Sequence, residues 1–379
     1  MRRIYFDYAA TAPADPEVVK AMQPYFFGEF GNASSPHAIG RHAHKALEES
    51  REILAGFIGA KPEEIIFNSG ATEANNHAVF GIARALKNKG KHIVVSPIEH
   101  HSVLEPVEEL KKEGFSVTYL PVDGTGLVNP DDVKKAITPE TVLIAVMHAS
   151  NEIGTLQPIF EIGKVARQHK VPFLVDAVQT AGHIPVDVND LGCDLLSLSA
   201  HKFYGPKGVG ALFVRKGVEI KGYILGGDQE QNRRASTQNV AGAVGMAKAA
   251  TLCREKMPEE TKQQIKLRDK LLNEIPKTIP QARINGHLTD RLPNNAHFSF
   301  EDVEGESLLM SLDMVGICCS MGSACTSGAM EPSHVLRATG LSDELAYGSL
   351  RVTIGRWTTF EDVEYLLKQL PELVRTLRI

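Results

Sequence analysis

The stretch Leu196-Ser197-Leu198-Ser199-Ala200-His201-Lys202-Phe203-Tyr204-Gly205-Pro206-Lys207-Gly208 decides how the chain is read. An apolar run from Asp194 to Leu198 reads as a short buried strand that stops at a small hydroxyl residue. A histidine, a lysine and two aromatics follow, then a glycine-rich turn and a second apolar run, Val209 to Val214. A lysine between apolar strands is ordinarily a solvated loop side chain. Here Ser199 and His201 can donate hydrogen bonds to a phosphate. An amine partly withdrawn from water also loses its proton more easily and becomes a Schiff-base nucleophile.

Outward from this stretch, the runs Ile65–Phe67, Ile93–Ser96, Val117–Leu120, Val142–Met147, Phe173–Val175, Leu195–Leu198 and Gly210–Val214 read as strands. Val103, Val107 and Leu110 lie at helical spacing between them, as do Ile159, Ile162 and Ala166. Near-continuous apolar strands alternating with helices imply an α/β fold with a mostly parallel seven-stranded sheet, covered by helices on both faces. Residues 16–60 read as mainly helical, broken at Gly31–Pro36. Pro258 and the charged helix after it suggest a boundary. The expected division is a large domain over 15–257, with 1–14 and 258–379 forming a smaller α+β domain.

The chain has 379 residues, 43% hydrophobic and 23% charged, with a net charge of −5. That balance offers no basic footprint for nucleic acid. No apolar run approaches the roughly 18 residues that cross a bilayer, and the N-terminus lacks the apolar core of a signal peptide. Cys193, Cys253, Cys318, Cys319 and Cys325 are odd in number and lack CxxC spacing. They imply a reducing, cytoplasmic setting with no disulfide framework and no metal cluster.

In sheets of this kind ligands collect where strands end and helices begin. At the first such joint, Asn68-Ser69-Gly70-Ala71-Thr72-Glu73, free N–H groups at a helix start form an anion site, or else a plain helix cap. A Walker A loop is excluded, because no GK[ST] follows. At the second, Glu99-His100-His101-Ser102, one histidine can stack on a ring or move a proton. Asn151 stands at the third, where its amide can touch a ligand oxygen or simply serve a plain turn. Asp176 closes the run Phe173–Val175, and a carboxylate there is costly to desolvate without a cation. A protonated pyridine nitrogen would serve, with Gln179 on the ring hydroxyl, so pyridoxal 5'-phosphate is the candidate cofactor. An N-cap aspartate is the alternative. Cys318 and Cys319 end an apolar run and read as buried and inert, whereas Cys325 sits among Gly, Ser, Ala and Thr, where a thiolate can react or a loop thiol can be a bystander. Arg351, in a strand, can hold a substrate carboxylate with its fork or make a surface ion pair.

Taken together, these residues resemble the cysteine desulfurases of fold-type I, in particular the nitrogen-fixation and housekeeping iron–sulfur class. The resemblance runs through Tyr5-Phe6-Asp7-Tyr8-Ala9-Ala10-Thr11, Ser69-Gly70-Ala71-Thr72-Glu73-Ala74-Asn75-Asn76, Glu99-His100-His101 and Asn151-Glu152-Ile153-Gly154. It continues in Asp176-Ala177-Val178-Gln179, Ser199-Ala200-His201-Lys202 and, most specifically, Gly322-Ser323-Ala324-Cys325-Thr326-Ser327. It implies the pyridoxal-phosphate-dependent transferase fold, with Lys202 as the Schiff-base lysine, His100 over the ring and Asp176 on its nitrogen. Asn151 and Gln179 would meet the polar edge; Thr72, Ser199 and His201 would hold the phosphate, with Ala71 among the cofactor contacts. Thr237 would reach the phosphate of a partner subunit, so a homodimer is implied. Arg351, with Asn151, would bind L-cysteine. Cys325, on a long mobile loop, would take its sulfur as a persulfide, leaving alanine, and pass it to an acceptor or iron–sulfur scaffold protein. Two positions depart from the family pattern: Ser236 stands where glycine is usual before Thr237, and Met321 where serine is usual. The chain ends at Ile379, short of the extension that housekeeping members use to dock a scaffold. Selenocysteine lyase, aminotransferase and a non-catalytic scaffold on the same fold are the alternatives.

Overall fold

The computed structural model describes residues 3–322 and 332–378. After a short strand β1 (Ile4–Tyr5) come β2 (Ile65–Asn68), β3 (His92–Val95), β4 (Ser116–Tyr119), β5 (Thr141–Ala145), β6 (Phe173–Asp176), β7 (Leu195–Ser199) and β8 (Gly210–Val214). These seven form one sheet in the order β2-β8-β7-β6-β5-β3-β4. β8 runs antiparallel to both β2 and β7, and the remaining pairs are parallel.

Side-chain alternation explains why these segments stay strands. Ile65, Phe67, Val94, Ile144, Phe173, Val175, Leu196 and Leu198 enter the core on one face. Ile66, Ile93, Val95, Leu143, Leu174, Leu195 and Leu212 enter the core on the other. Both faces bury apolar side chains, so the period of two is hidden in a continuous apolar run. Helices Ala71–Leu86 and His101–Lys112 cover the second face; Ala38–Phe57 and Ile159–His169 cover the first. Only the edge strand β4 carries partly exposed residues throughout.

The remaining strands are β9 (Arg283–Ile284), β10 (Asn295–Ser299), β11 (Ile317–Cys318) and β12 (Ser349–Thr353). β10 lies between β12 and β9, and β1 pairs in parallel with β11. These strands share a core with helices Gly305–Met314 and Phe360–Leu377 and with Leu267, Leu271 and Ile275. Those three residues belong to one helix, Val240–Thr278, whose first half packs against the large sheet's core. One continuous helix therefore runs through Pro258 from one core to the other. The helix passes through the proline because packing at both of its ends outweighs one lost backbone bond.

Candidate active site

One cavity of about 610 Å³ opens at the carboxyl ends of the parallel strands. Ala71, Thr72, His100, Asn151, Asp176, Gln179, Ser199, His201, Lys202 and Arg351 all line it. Thr237 does not; it is exposed, outside the cavity. Cys325 lies outside the described residues.

Lys202 ends a single 3₁₀ turn, Ala200–Lys202, directly after β7. Its Nζ donates to the carbonyls of Ala9 at 2.6 Å and Ala10 at 2.7 Å. Gln179 Nε2 donates to the same Ala9 carbonyl at 3.0 Å, and His201 Nδ1 meets Thr11 Oγ1 at 3.0 Å. The N-terminal segment is thus a wall of the cavity. Sequence reading entered it only through the resemblance, because no local pattern announces a contact across the length of the chain. Burial pushes the His201 imidazole down to about 4, so it stands neutral at pH 7 and can donate one hydrogen bond.

Asp176 ends β6 and is buried, with 7% of its surface exposed. Val178 N–H donates to one carboxylate oxygen at 3.0 Å, and Asn75 Nδ2 donates to the other at 2.8 Å. Among the described residues no lysine or arginine forms an ion pair with it. Asn75 also donates to Ser102 Oγ at 2.9 Å. The Ser102 hydroxyl and N–H meet His100 Nδ1 at 2.8 and 3.0 Å. A ring nitrogen that accepts a backbone N–H carries no proton, so the neutral His100 ring holds its proton on Nε2. Burial lowers its affinity for a second proton. Asn75 and Ser102 were not assigned roles from sequence; Asn75 sits one helical turn beyond Thr72, a spacing that places both at the same helix start.

At the other end, helix Ala71–Leu86 begins at Gly70, whose φ is +148° and which offers no side-chain cap to the first N–H groups. Thr72 and Ser199 stand beside this helix start in the cavity wall. Behind it, Glu73 accepts from Ser69 N–H and Oγ and from Arg234 Nε at 2.7 Å. Burial alone would raise the Glu73 carboxyl, but the Arg234 and Ser69 bonds outweigh it and hold it below the usual range. Uncapped N–H groups attract a phosphate, and a buried carboxylate with no fixed cation attracts a protonated ring nitrogen. With a lysine amine in the same cavity, the residues present fit pyridoxal phosphate.

Arg351 lies in β12 and is 1% exposed, which excludes the surface ion pair. Its Nη2 pairs with Asp7 at 2.9 Å, and Nη1 donates to the carbonyls of Asn151 at 2.9 Å and Gly322 at 3.1 Å. Its Nε is buried without a partner among the described residues. Asp7 is a further residue whose part was not assigned from sequence. Cys318 and Cys319, expected to be buried, are both half-buried; Cys318 ends β11, whose one strand partner among the described residues is β1. Burial pushes both thiols up.

The family model described as aminotransferase class-V matches residues 4–366. A "Cysteine desulfurase IscS" of Dictyoglomus turgidum is 54% identical over 377 residues, covering 100% of this chain and 96% of its own. A protein of the same name from Methanosarcina thermophila is 50% identical, covering 100% of this chain and 93% of its own. Among solved structures, a "NIFS-like protein" superposes with a TM-score of 0.93 at 37% identity, covering 99% of this chain and 100% of its own. "SspA in complex with cysteine" gives 0.83 at 37% identity, covering 94% of this chain and 99% of its own. With its match to that model over residues 4–366 and its half-identity to those relatives, the chain belongs to the class-V aminotransferase family, among the members named cysteine desulfurases.

Proposed function

We propose that this protein is a pyridoxal 5'-phosphate-dependent cysteine desulfurase that converts L-cysteine to L-alanine and takes the sulfur as a persulfide on Cys325. The observation that carries the reading is the gathering of Lys202, His100, Asp176 and Arg351 around one cavity. Lys202 would hold the cofactor covalently. His100 would lie over its ring, Asp176 would meet its nitrogen, and Asn151 and Gln179 its polar edge. Ala71, Thr72, Ser199 and His201 would hold its phosphate. When bound, the cofactor supplies an electron sink for charge that develops at the substrate Cα.

Arg351 would bind the substrate carboxylate through its fork, with Asn151 beside it. Lys202, a positioned amine, carries the Cα proton. The Cys325 thiolate attacks the substrate sulfur and the Cβ–S bond breaks. Sulfur remains on Cys325, Cβ takes up a proton, and alanine leaves. The same reading makes the protein a cytoplasmic homodimer, in which Thr237 completes the partner's phosphate site, and gives it a sulfur acceptor or iron–sulfur scaffold as partner. It also treats residues 15–257 as the cofactor-binding domain and 1–14 with 258–379 as a small domain bearing Cys325. Among the described residues no helix is long and apolar enough to cross a membrane.

The test is incubation with L-cysteine and a reductant, measuring alanine and sulfide together. Equal yields support desulfuration; a keto acid in their place overturns it. Cys325→Ser should keep the cofactor and release no sulfide, since a serine hydroxyl is a far weaker nucleophile at neutral pH. Mass spectrometry of the cysteine-treated protein should find one added sulfur on the Cys325 peptide. Sulfur found on Cys318 or Cys319 would be fatal to the proposed route.

A further inference from the structure

Two residues beyond Lys202 the backbone does something unusual. Tyr204 adopts φ +65°, a left-handed conformation that a bulky aromatic side chain rarely takes, and it is completely buried. Such a conformation persists only where the surroundings over-determine it. Here they do. The Lys202 carbonyl faces His183 Nε2 at 3.2 Å, and the Phe203 carbonyl accepts from the Cys253 thiol at 3.4 Å. The Tyr204 carbonyl accepts from Asp15 N–H at 2.9 Å. Three distant segments therefore each hold one carbonyl of the turn.

The ring completes the clamp. Trp357 meets it edge-on at 5.4 Å between centroids, and the Arg356 guanidinium lies over it at 4.0 Å. The Tyr204 hydroxyl accepts the Arg356 backbone N–H at 2.9 Å. Arg356 is itself pinned, with Nη1 on Asp15 at 2.6 Å and Nε on Glu260 at 2.5 Å. A cation over an aromatic face, held between two carboxylates in a buried site, leaves the ring little freedom.

We propose that Tyr204, clamped by Arg356, is a positioning residue for Lys202: it holds the turn left-handed so that the lysine amine stays against the Ala9 and Ala10 carbonyls and faces the cavity. This rests on the function proposed above, in which Lys202 does the chemistry. Tyr204 touches none of the reacting atoms; it acts through the backbone between them. Without the clamp the turn relaxes toward negative φ, and the amine at its far end moves with it.

The experiment compares wild type with Tyr204→Phe, which keeps the ring and loses the hydroxyl acceptor, and with Arg356→Lys, which keeps the charge and loses the flat cation. In the full-length chain stripped of cofactor, a short pulse of acetic anhydride followed by peptide mass analysis reads the reactivity of Lys202 against surface lysines of the same digest. Both variants should label Lys202 severalfold faster than wild type while remaining folded. Loaded with pyridoxal phosphate, they should show a shifted visible absorption band. Their kcat should fall about tenfold with KM changed less than about twofold, as expected for a misplaced catalytic group. If either variant folds and its Lys202 labelling and absorption band equal those of wild type, the inference is overturned, even where the unfolding midpoint drops. Should wild type show no visible band and make no alanine from cysteine, the functional reading fails. The labelling result still decides whether Tyr204 positions Lys202.

Discussion

Lys202 carries the sharpest prediction at the scale of single residues. Lys202→Ala should still bind pyridoxal phosphate, because Asp176, Thr72 and Ser199 line the cavity independently of it, yet turnover should vanish. Absorption of the loaded protein and alanine release are the two measurements; normal alanine release would remove Lys202 from the reaction. Ser236 offers a test of stability. It occupies φ +112°, in the region that favours glycine, so the departure from the family pattern read in the sequence is a real strain in the fold. Ser236→Gly should therefore stabilise the protein by about 1 kcal/mol, read as a shift of the denaturant midpoint at constant slope.

Among the elements, the segment joining β8 to the helix Val240–Thr278 holds the longest run of left-handed non-glycine residues among the described residues. Glu230, Gln231 and Asn232 have φ of +47°, +59° and +63°, three left-handed residues in succession. The Glu230 carboxylate anchors them, accepting from Arg51 at 2.6 and 2.8 Å and from Phe67 N–H at 2.9 Å. Both side chains are buried, and Arg51 also lies over the Phe67 ring at 5.0 Å. Glu230→Gln leaves a buried guanidinium short of its counter-charge and should cost about 3 kcal/mol. Because the pair is buried, that loss should stay the same between low and high salt in chemical denaturation. A loss that disappears in high salt would mean the pair is solvated.

For the whole molecule, the response to acid follows from its buried imidazoles. Burial pushes His77, His148 and His183 down to about 4 and His297 to about 3, from an ordinary value of 6.5. The unfolded chain therefore binds more protons than the folded chain between pH 6.5 and about 4, and stability falls as pH falls through that window. Glu99 works in the opposite sense. Burial raises its carboxyl to about 8 from 4.5, so the folded chain keeps a proton that the unfolded chain gives up, and stability is lost as pH rises from 4.5 to 8. Glu99→Gln should gain on wild type across that rise. Unfolding midpoints measured from pH 4 to 8 check both slopes. A wild type as stable at pH 4.5 as at pH 6.5 would contradict the histidine assignment.

What the sequence determined by itself is the part set by neighbours along the chain. Six strands of the large sheet were legible because both faces are buried, which turns each into an apolar run bounded by turns; the edge strand β4 was legible from its β-branched and aromatic residues. That Asp176, His100, Ser199 and Lys202 line one cavity was legible because cavities in such sheets open where the strands end. Only the tertiary structure decided the rest. The N-terminal segment turns its Ala9 and Ala10 carbonyls to Lys202, and Asp7 meets Arg351, through contacts between opposite ends of the chain. The helix Val240–Thr278 runs through Pro258 because its two halves are packed into two cores. Tyr204 takes a conformation that its side chain disfavours because three distant segments hold it there. Local preference is worth about a kcal/mol per residue, and many packed neighbours acting together override it.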